Sequence, residues 1–69
     1  MNELEQILYD THGEIMFLEL DWEYNGKTKK EIKKHAELKK QERELRSYLG
    51  LTGHTDYSKF ILKCARSNM

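Results

Sequence analysis

The chain of 69 residues has no proline, a single cysteine (Cys64) and four glycines, at positions 13, 26, 50 and 53. Without proline, no position loses its backbone N–H donor, so long helices are permitted between the glycines. With one cysteine, an internal disulfide is excluded, and with it the usual staple of a small secreted domain. Cys64 and the three histidines (His12, His35, His54) show no recurring ligand spacing, so no metal site is expected. No apolar run approaches the roughly 20 residues that cross a bilayer. The opening "MNELEQILYD" lacks the basic segment and apolar core of a signal peptide. These absences point to a soluble, cytoplasmic protein without cofactor or membrane partner. A core this small needs support, and self-association into a homodimer or higher oligomer is the route left.

Positive charge is missing from the first part of the chain. Residues 1–26 carry Glu3, Glu5, Asp10, Glu14, Glu19, Asp21 and Glu23 and no Lys or Arg. All 12 Lys and Arg stand in residues 27–69, against five acids. The formal net charge of +0 is therefore a sum of two unlike parts.

What the chain does contain is helical periodicity. Leu4, Leu8, Thr11, Ile15, Leu18 and Trp22 recur at three- and four-residue steps, a seam on one helix face. Ile7, Met16, Phe17 and Leu20 widen that stripe, as a helix with more than one neighbour would show. Asn2 is the expected N-cap, with Glu3 and Glu5 in the first turn, and Asn25-Gly26 is the stop. Gly13 falls inside this helix and leaves a kink or break there open.

A second helix starts near Thr28, where Thr28 and Glu31 have capping-box spacing, and runs to Leu49 with Gly50 beyond. Its seam is Ile32, His35, Leu38, Glu42, Leu45 and Leu49. A third is brief, with Tyr57, Phe60, Ile61 and Cys64 on one face, Thr55 or Asp56 as cap and a frayed "RSNM" tail. The expected architecture is a single all-α domain over residues 1–69. A long antiparallel hairpin (about 2–24 and 28–49) carries a short third helix (about 56–66).

The stretch "ELRSYLGLT" resembles the turn of a DNA-binding helix-turn-helix. Glu44, Leu45, Leu49, Gly50, Leu51 and Thr52 match its outline. Arg46 departs from it, standing where a small residue lets the helices approach, as does Asp56, near where an apolar residue enters the core. A recognition helix bearing Lys59, Lys63 and Arg66 would offer charge for phosphates but little for base edges. Those departures favour a plain helix–helix corner with Gly50 just past the helix end. "NGKTKKE" is no phosphate-binding P-loop, because residue 21, where the first glycine belongs, is Asp.

Catalysis finds no nucleophile with a base at a fixed spacing, so the chain is not expected to be an enzyme. Each histidine is expected at the surface or a helix end, and Cys64 in the core. Lys29, Lys30, Lys33 and Lys34 stack on one side of the second helix. Their expected role is to complement the acidic first helix. The alternative is an anion site formed with Lys59, Lys63 and Arg66, for DNA, RNA or a nucleotide. Phe17, Trp22 and Tyr24 cluster with Glu19, Asp21 and Glu23; either Phe17 and Trp22 fill the core above the hairpin turn, or, since three helices in 69 residues do not easily hide Met16, Phe17, Leu20, Trp22 and Tyr24 together, the surplus forms a second buried surface. The expectation is a non-enzymatic module that docks this acidic aromatic helix on another protein, as inhibitor or adaptor. Size and composition are similar in style to small accessory proteins of bacteria and their phages.

Overall fold

The computed structural model describes residues 2–67, which form three helices: α1 (Glu3–Asn25), α2 (Lys29–Tyr48) and α3 (His54–Ser67). Local chemistry explains most of the boundaries. The Asn2 side chain accepts from Glu5 N–H at 2.8 Å, and the Glu5 carboxylate accepts from Asn2 N–H at 3.2 Å. This reciprocal box satisfies donors that a helix start otherwise leaves unpaired. Thr28 caps α2 by accepting from Glu31 N–H at 3.2 Å. Its box is not reciprocal in the backbone sense: the Glu31 carboxylate takes the Thr28 hydroxyl instead, at 2.9 Å.

Helix α1 is continuous through Gly13, so the glycine does not break it. A Cβ placed there would meet nothing within 4 Å. At the far end of α2, Gly50 adopts φ 72°, the left-handed conformation that glycine enters without a Cβ penalty. Gly50 N–H then donates to Ser47 O (3.3 Å) and Leu51 N–H to Arg46 O (2.7 Å), the Schellman closure of a helix C-terminus.

Helix α3 differs from expectation at both ends. It begins at His54, two residues early, because Gly53 O accepts from Tyr57 N–H at 3.0 Å and takes the capping position assigned to Thr55 or Asp56. Arg66 and Ser67, expected to fray, are helical, and the Ser67 hydroxyl donates back to Lys63 O at 3.1 Å. Asn68 and Met69, the rest of that tail, lie outside the described residues.

Helices α1 and α2 lie against each other in opposite directions. From Thr11–Gln41 and His12–Glu42 to Glu19–His35, the contacts advance along α1 and retreat along α2. The α1 seam is real: Leu8, Thr11 and Ile15 are buried, and Leu4, Leu18 and Trp22 are half-buried. Thr11 is tolerated there because its hydroxyl donates to Ile7 O (2.7 Å) and accepts from Gln41 Nε2 (2.9 Å). In the α2 seam Ile32 is an exception, being 49% exposed.

Helix α3 folds over one end of this pair only. Leu8, Tyr57, Phe60 and Cys64 form the buried cluster, with Tyr9, Leu45, Leu49, Leu51 and Ile61 packed around it. Burial, followed by the negative field of Glu5, pushes the Cys64 thiol above its ordinary pKa, so it acts as a small core residue.

The α2–α3 corner is held by Arg46. Its guanidinium donates to Leu51 O (2.9 Å) and Thr52 O (3.2 Å) and lies 4.0 Å from the centroid of the Tyr57 ring. A long side chain thus fills the space that a helix-turn-helix leaves for close helix approach. It ties the turn to α3 through a cation–π contact.

Candidate functional site

Residues that step by three and four along α1, about half a turn from its seam, form a second apolar face. Met16, Phe17, Leu20 and Tyr24 are 58, 74, 53 and 80% exposed. Their side chains cannot reach α2, because the seam already occupies that side of the cylinder. Helix α3 reaches only the start of this face, at Ile61. A groove of about 520 Å³ runs beside Gly13, Met16, Phe17 and Leu20 and is edged by Glu19 and Glu23. A second, of about 590 Å³, shares Gly13, Met16 and Phe17 and is edged by Asp10 and Glu14. Neither has a Lys or Arg in its lining. The face is therefore an apolar ridge with carboxylates on both sides. Gly13 leaves its middle low.

The six residues expected to bind a partner separate on this geometry. Phe17, Glu23 and Tyr24 point outward with Met16 and Leu20. Trp22 turns inward: its ring lies 4.7 Å from that of His35, tilted by 49°, and Lys27 Nζ sits 5.1 Å from its centroid. The indole Nε1–H is buried and has no acceptor among the described residues. Glu19 is held by His35 Nε2 at 3.1 Å, and Asp21 accepts from Asn25 Nδ2 at 2.7 Å. These three build the tip of the α1–α2 pair, and Phe17, Glu23 and Tyr24 remain available. Met16 and Leu20 were visible in the sequence as surplus apolar residues. Their membership of the outward face needed the seam to be fixed first.

The basic residues are also divided. Lys29, Lys30, Lys33 and Lys34 are exposed at the start of α2, whereas Lys59, Lys63 and Arg66 line a separate groove of about 480 Å³ on α3. Core contacts place the end of α3 against the start of α1, so the two groups stand at opposite ends of the molecule. The expected pairing of α2 lysines with α1 acids does not occur. Among the described residues the ion pairs are His12–Glu42, His35–Glu19 and Lys39–Glu42. The lysines point away from the seam, and exposed pairs gain too little to draw them in.

His12 and His35 are not plain surface residues. Each crosses from one helix to the other, and only His54 stays exposed at a helix end. His12 belongs to a polar cluster that joins all three helices. The Tyr57 hydroxyl donates to Glu42 Oε2 at 2.7 Å, His12 Nδ1 lies 3.4 Å from the same oxygen, and Lys39 Nζ is 3.7 Å from Oε1. Glu42 is 7% exposed. Burial alone would raise its pKa, but the bonds from Tyr57 and His12 and the charges of Lys39 and His12 outweigh it and hold the carboxyl below its ordinary value. The Tyr57 phenol moves the other way, raised by burial and then by the Glu42 carboxylate, so it remains an O–H donor. The sequence placed Glu42 in the α2 seam without a reason for a carboxylate there. A charge at a seam position is the signal that partners come from elsewhere in the fold.

In comparison with known proteins, the chain matches no family model, no curated protein and no solved structure. The site is therefore read from its own residues. No helix among the described residues is long and apolar enough to cross a membrane, and no group of His, Cys, Asp and Glu among them could hold a metal ion.

Proposed function

We propose that the protein is a non-enzymatic interaction module, an inhibitor or adaptor that docks the outer face of α1 on another protein in the cytoplasm. The observation that carries this reading is the exposed ridge of Met16, Phe17, Leu20 and Tyr24, flanked by carboxylates on both sides and by no Lys or Arg. Solvent gains nothing from four large apolar side chains in a row, whereas a partner surface removes them from water. Each fully buried side chain contributes about 1.5–3 kcal/mol. Charge names the partner's chemistry. A second α1 would bring its own seven acids of residues 1–26 against these, so the fitting occupant is a cationic amphipathic helix or strip, with basic residues set around apolar anchors.

The test is affinity capture from a bacterial lysate, with nuclease, using the wild type and the double variant Phe17→Ala/Tyr24→Ala. The expected result is one stoichiometric protein that the wild type retains, that the variant loses and that rising salt releases. Capture by both proteins alike would remove α1 from the reading.

A second reading rests on α3. Lys59, Leu62, Lys63 and Arg66 line a groove without a carboxylate, as an anion binder for DNA, RNA or a nucleotide would. In that case the catch is nucleic acid, and charge removal at Lys59 and Lys63 flattens its salt dependence.

A further inference from the structure

A separate groove of about 400 Å³ lies where the three helices meet, over the His12–Glu42–Tyr57 cluster. Helix α1 contributes His12 to its wall, α2 contributes Lys39 and Arg46, and α3 contributes His54 and Ser58 together with the apolar Ile61 and Leu62. We propose that this groove binds a small oxyanion of the phosphate class, either free phosphate or the phosphate of a monoester.

Three observations carry the assignment. First, the one carboxylate in the lining is already committed. Both Glu42 oxygens face protein partners, Oε2 the Tyr57 hydroxyl and His12 Nδ1, and Oε1 the Lys39 ammonium. The Glu42 and Lys39 charges offset one another, and Arg46 leaves the walls with a net positive charge. Second, the lining keeps polar groups that the cluster does not use. His12 Nδ1 has two oxygens near it, Glu42 Oε2 at 3.4 Å and Tyr57 Oη at 3.3 Å, and Oη has given its own proton to Glu42. Nδ1 therefore carries the hydrogen, and the Nε2 lone pair is left to accept from the hydroxyl of a protonated phosphate. Arg46 uses Nε and Nη2 at the corner and keeps its remaining N–H groups. His54 and Ser58 have no side-chain hydrogen bond among the described residues. Third, the volume lies in the range of small-ligand sites, and the walls come from three helices that the buried cluster holds in register. An oxyanion presents three or four acceptors, which matches a lining with donors from Lys39, Arg46, His54 and Ser58 and no free carboxylate.

This assignment uses none of the lysines that the sequence singled out for anion binding, and it shares His12 and Ile61 with the edge of the α1 face.

The test is an NMR titration of the full chain with inorganic phosphate, with chloride exchanged out so that ionic strength stays constant. The expected result is a saturable shift confined to the amides of His12, Lys39, Arg46, His54 and Ser58 and to the His12 and His54 ring signals. Lys39→Met and His54→Ala, both exposed side chains outside the core, should each weaken binding about ten-fold, the scale of one charge-assisted hydrogen bond. Ser58→Ala, also exposed, should weaken it about three-fold, the scale of a neutral one. A parallel titration with phenyl phosphate distinguishes the two sources. Tighter binding with added shifts at Ile61 and Leu62 identifies a monoester, and equal affinity identifies the free ion. Shifts that rise linearly, or that are as large at Lys29–Lys34 and Lys59–Arg66 as in the groove, overturn the proposal. So does an affinity that survives Lys39→Met and His54→Ala.

Discussion

The two ends of the molecule are built from the same α1 and α2, yet they bury different things. At one end α3 completes the packing: Leu8, Phe60 and Cys64 are 0, 8 and 3% exposed. At the other end only two helices meet, and Phe17 and Tyr24 are 74 and 80% exposed. Two helices in contact share one stripe each and leave the rest of both cylinders in water. A third helix is needed to cover a second stripe, and α3, with 14 residues, reaches only part of α1. The α1 sequence is nevertheless apolar on its second side along the uncovered stretch. The stable end is where that apolar surface is used internally. The exposed end is where it is left over for another molecule.

The sharpest way to break this comparison is to remove the packing of the closed end. Phe60→Ala deletes most of a ring from the buried cluster and should cost about 3–4 kcal/mol. In a domain this small, urea denaturation should show most of the stability gone. If Phe60→Ala behaves like a surface change, the closed end is not where the fold is held.

The tip offers the next contrast. Trp22→Ala should cost about 2 kcal/mol, because the ring is half-buried between His35 and Lys27. Trp22→Phe should restore most of that loss in the same denaturation assay. It keeps an aromatic ring and removes an indole N–H that has no acceptor.

The polar cluster sharpens the comparison through pH. Glu42 has a folded pKa below its ordinary 4.5. Its contribution is therefore complete above that value and is lost as pH falls through the lower, folded value. Thermal melts should show the midpoint dropping as pH goes from about 5 to 3, and Glu42→Gln should reduce that drop. At neutral pH the same change should cost about 1–2 kcal/mol, the scale of hydrogen bonds to a charged group.

Smaller effects belong to the exposed side of α1. Gly13→Ala should stabilise by about 0.5–1 kcal/mol, since the site is mid-helix and a Cβ there meets nothing within 4 Å. It should also weaken docking, by raising the low point of the ridge. Phe17→Ala should change stability by less than about 0.5 kcal/mol, as for an ordinary surface position. Calorimetry that showed a large loss of stability for Phe17→Ala would mean that this face is already covered in solution.

The cap at Asn2, the stops at Gly26 and Gly50 and the α1 seam from Leu4 to Trp22 were legible in the sequence. Each depends on residues no more than about four positions apart, and such contacts are fixed by helix geometry itself. For the same reason the all-α class could be read from composition and periodicity alone. The α3 start was misjudged by two residues because Gly53, a poor helix former, supplies its cap through its carbonyl and not through a side chain.

Only the tertiary structure decided which side of α1 would be covered. Tyr57 meets Glu42 across 15 residues of sequence, and His12 meets Glu42 across 30. No local pattern encodes such pairs, because they exist only once α3 has come down on the hairpin. Likewise, Phe17 and Trp22 look equivalent in a list of aromatics, but a rotation of the helix puts one in water and the other against His35. The sequence by itself determined what the helices are and where they end, through short-range hydrogen bonds and periodicity. The packing of α3 decided which apolar face is core and which is left to meet another molecule, because burial is a property of neighbours that lie far away along the chain.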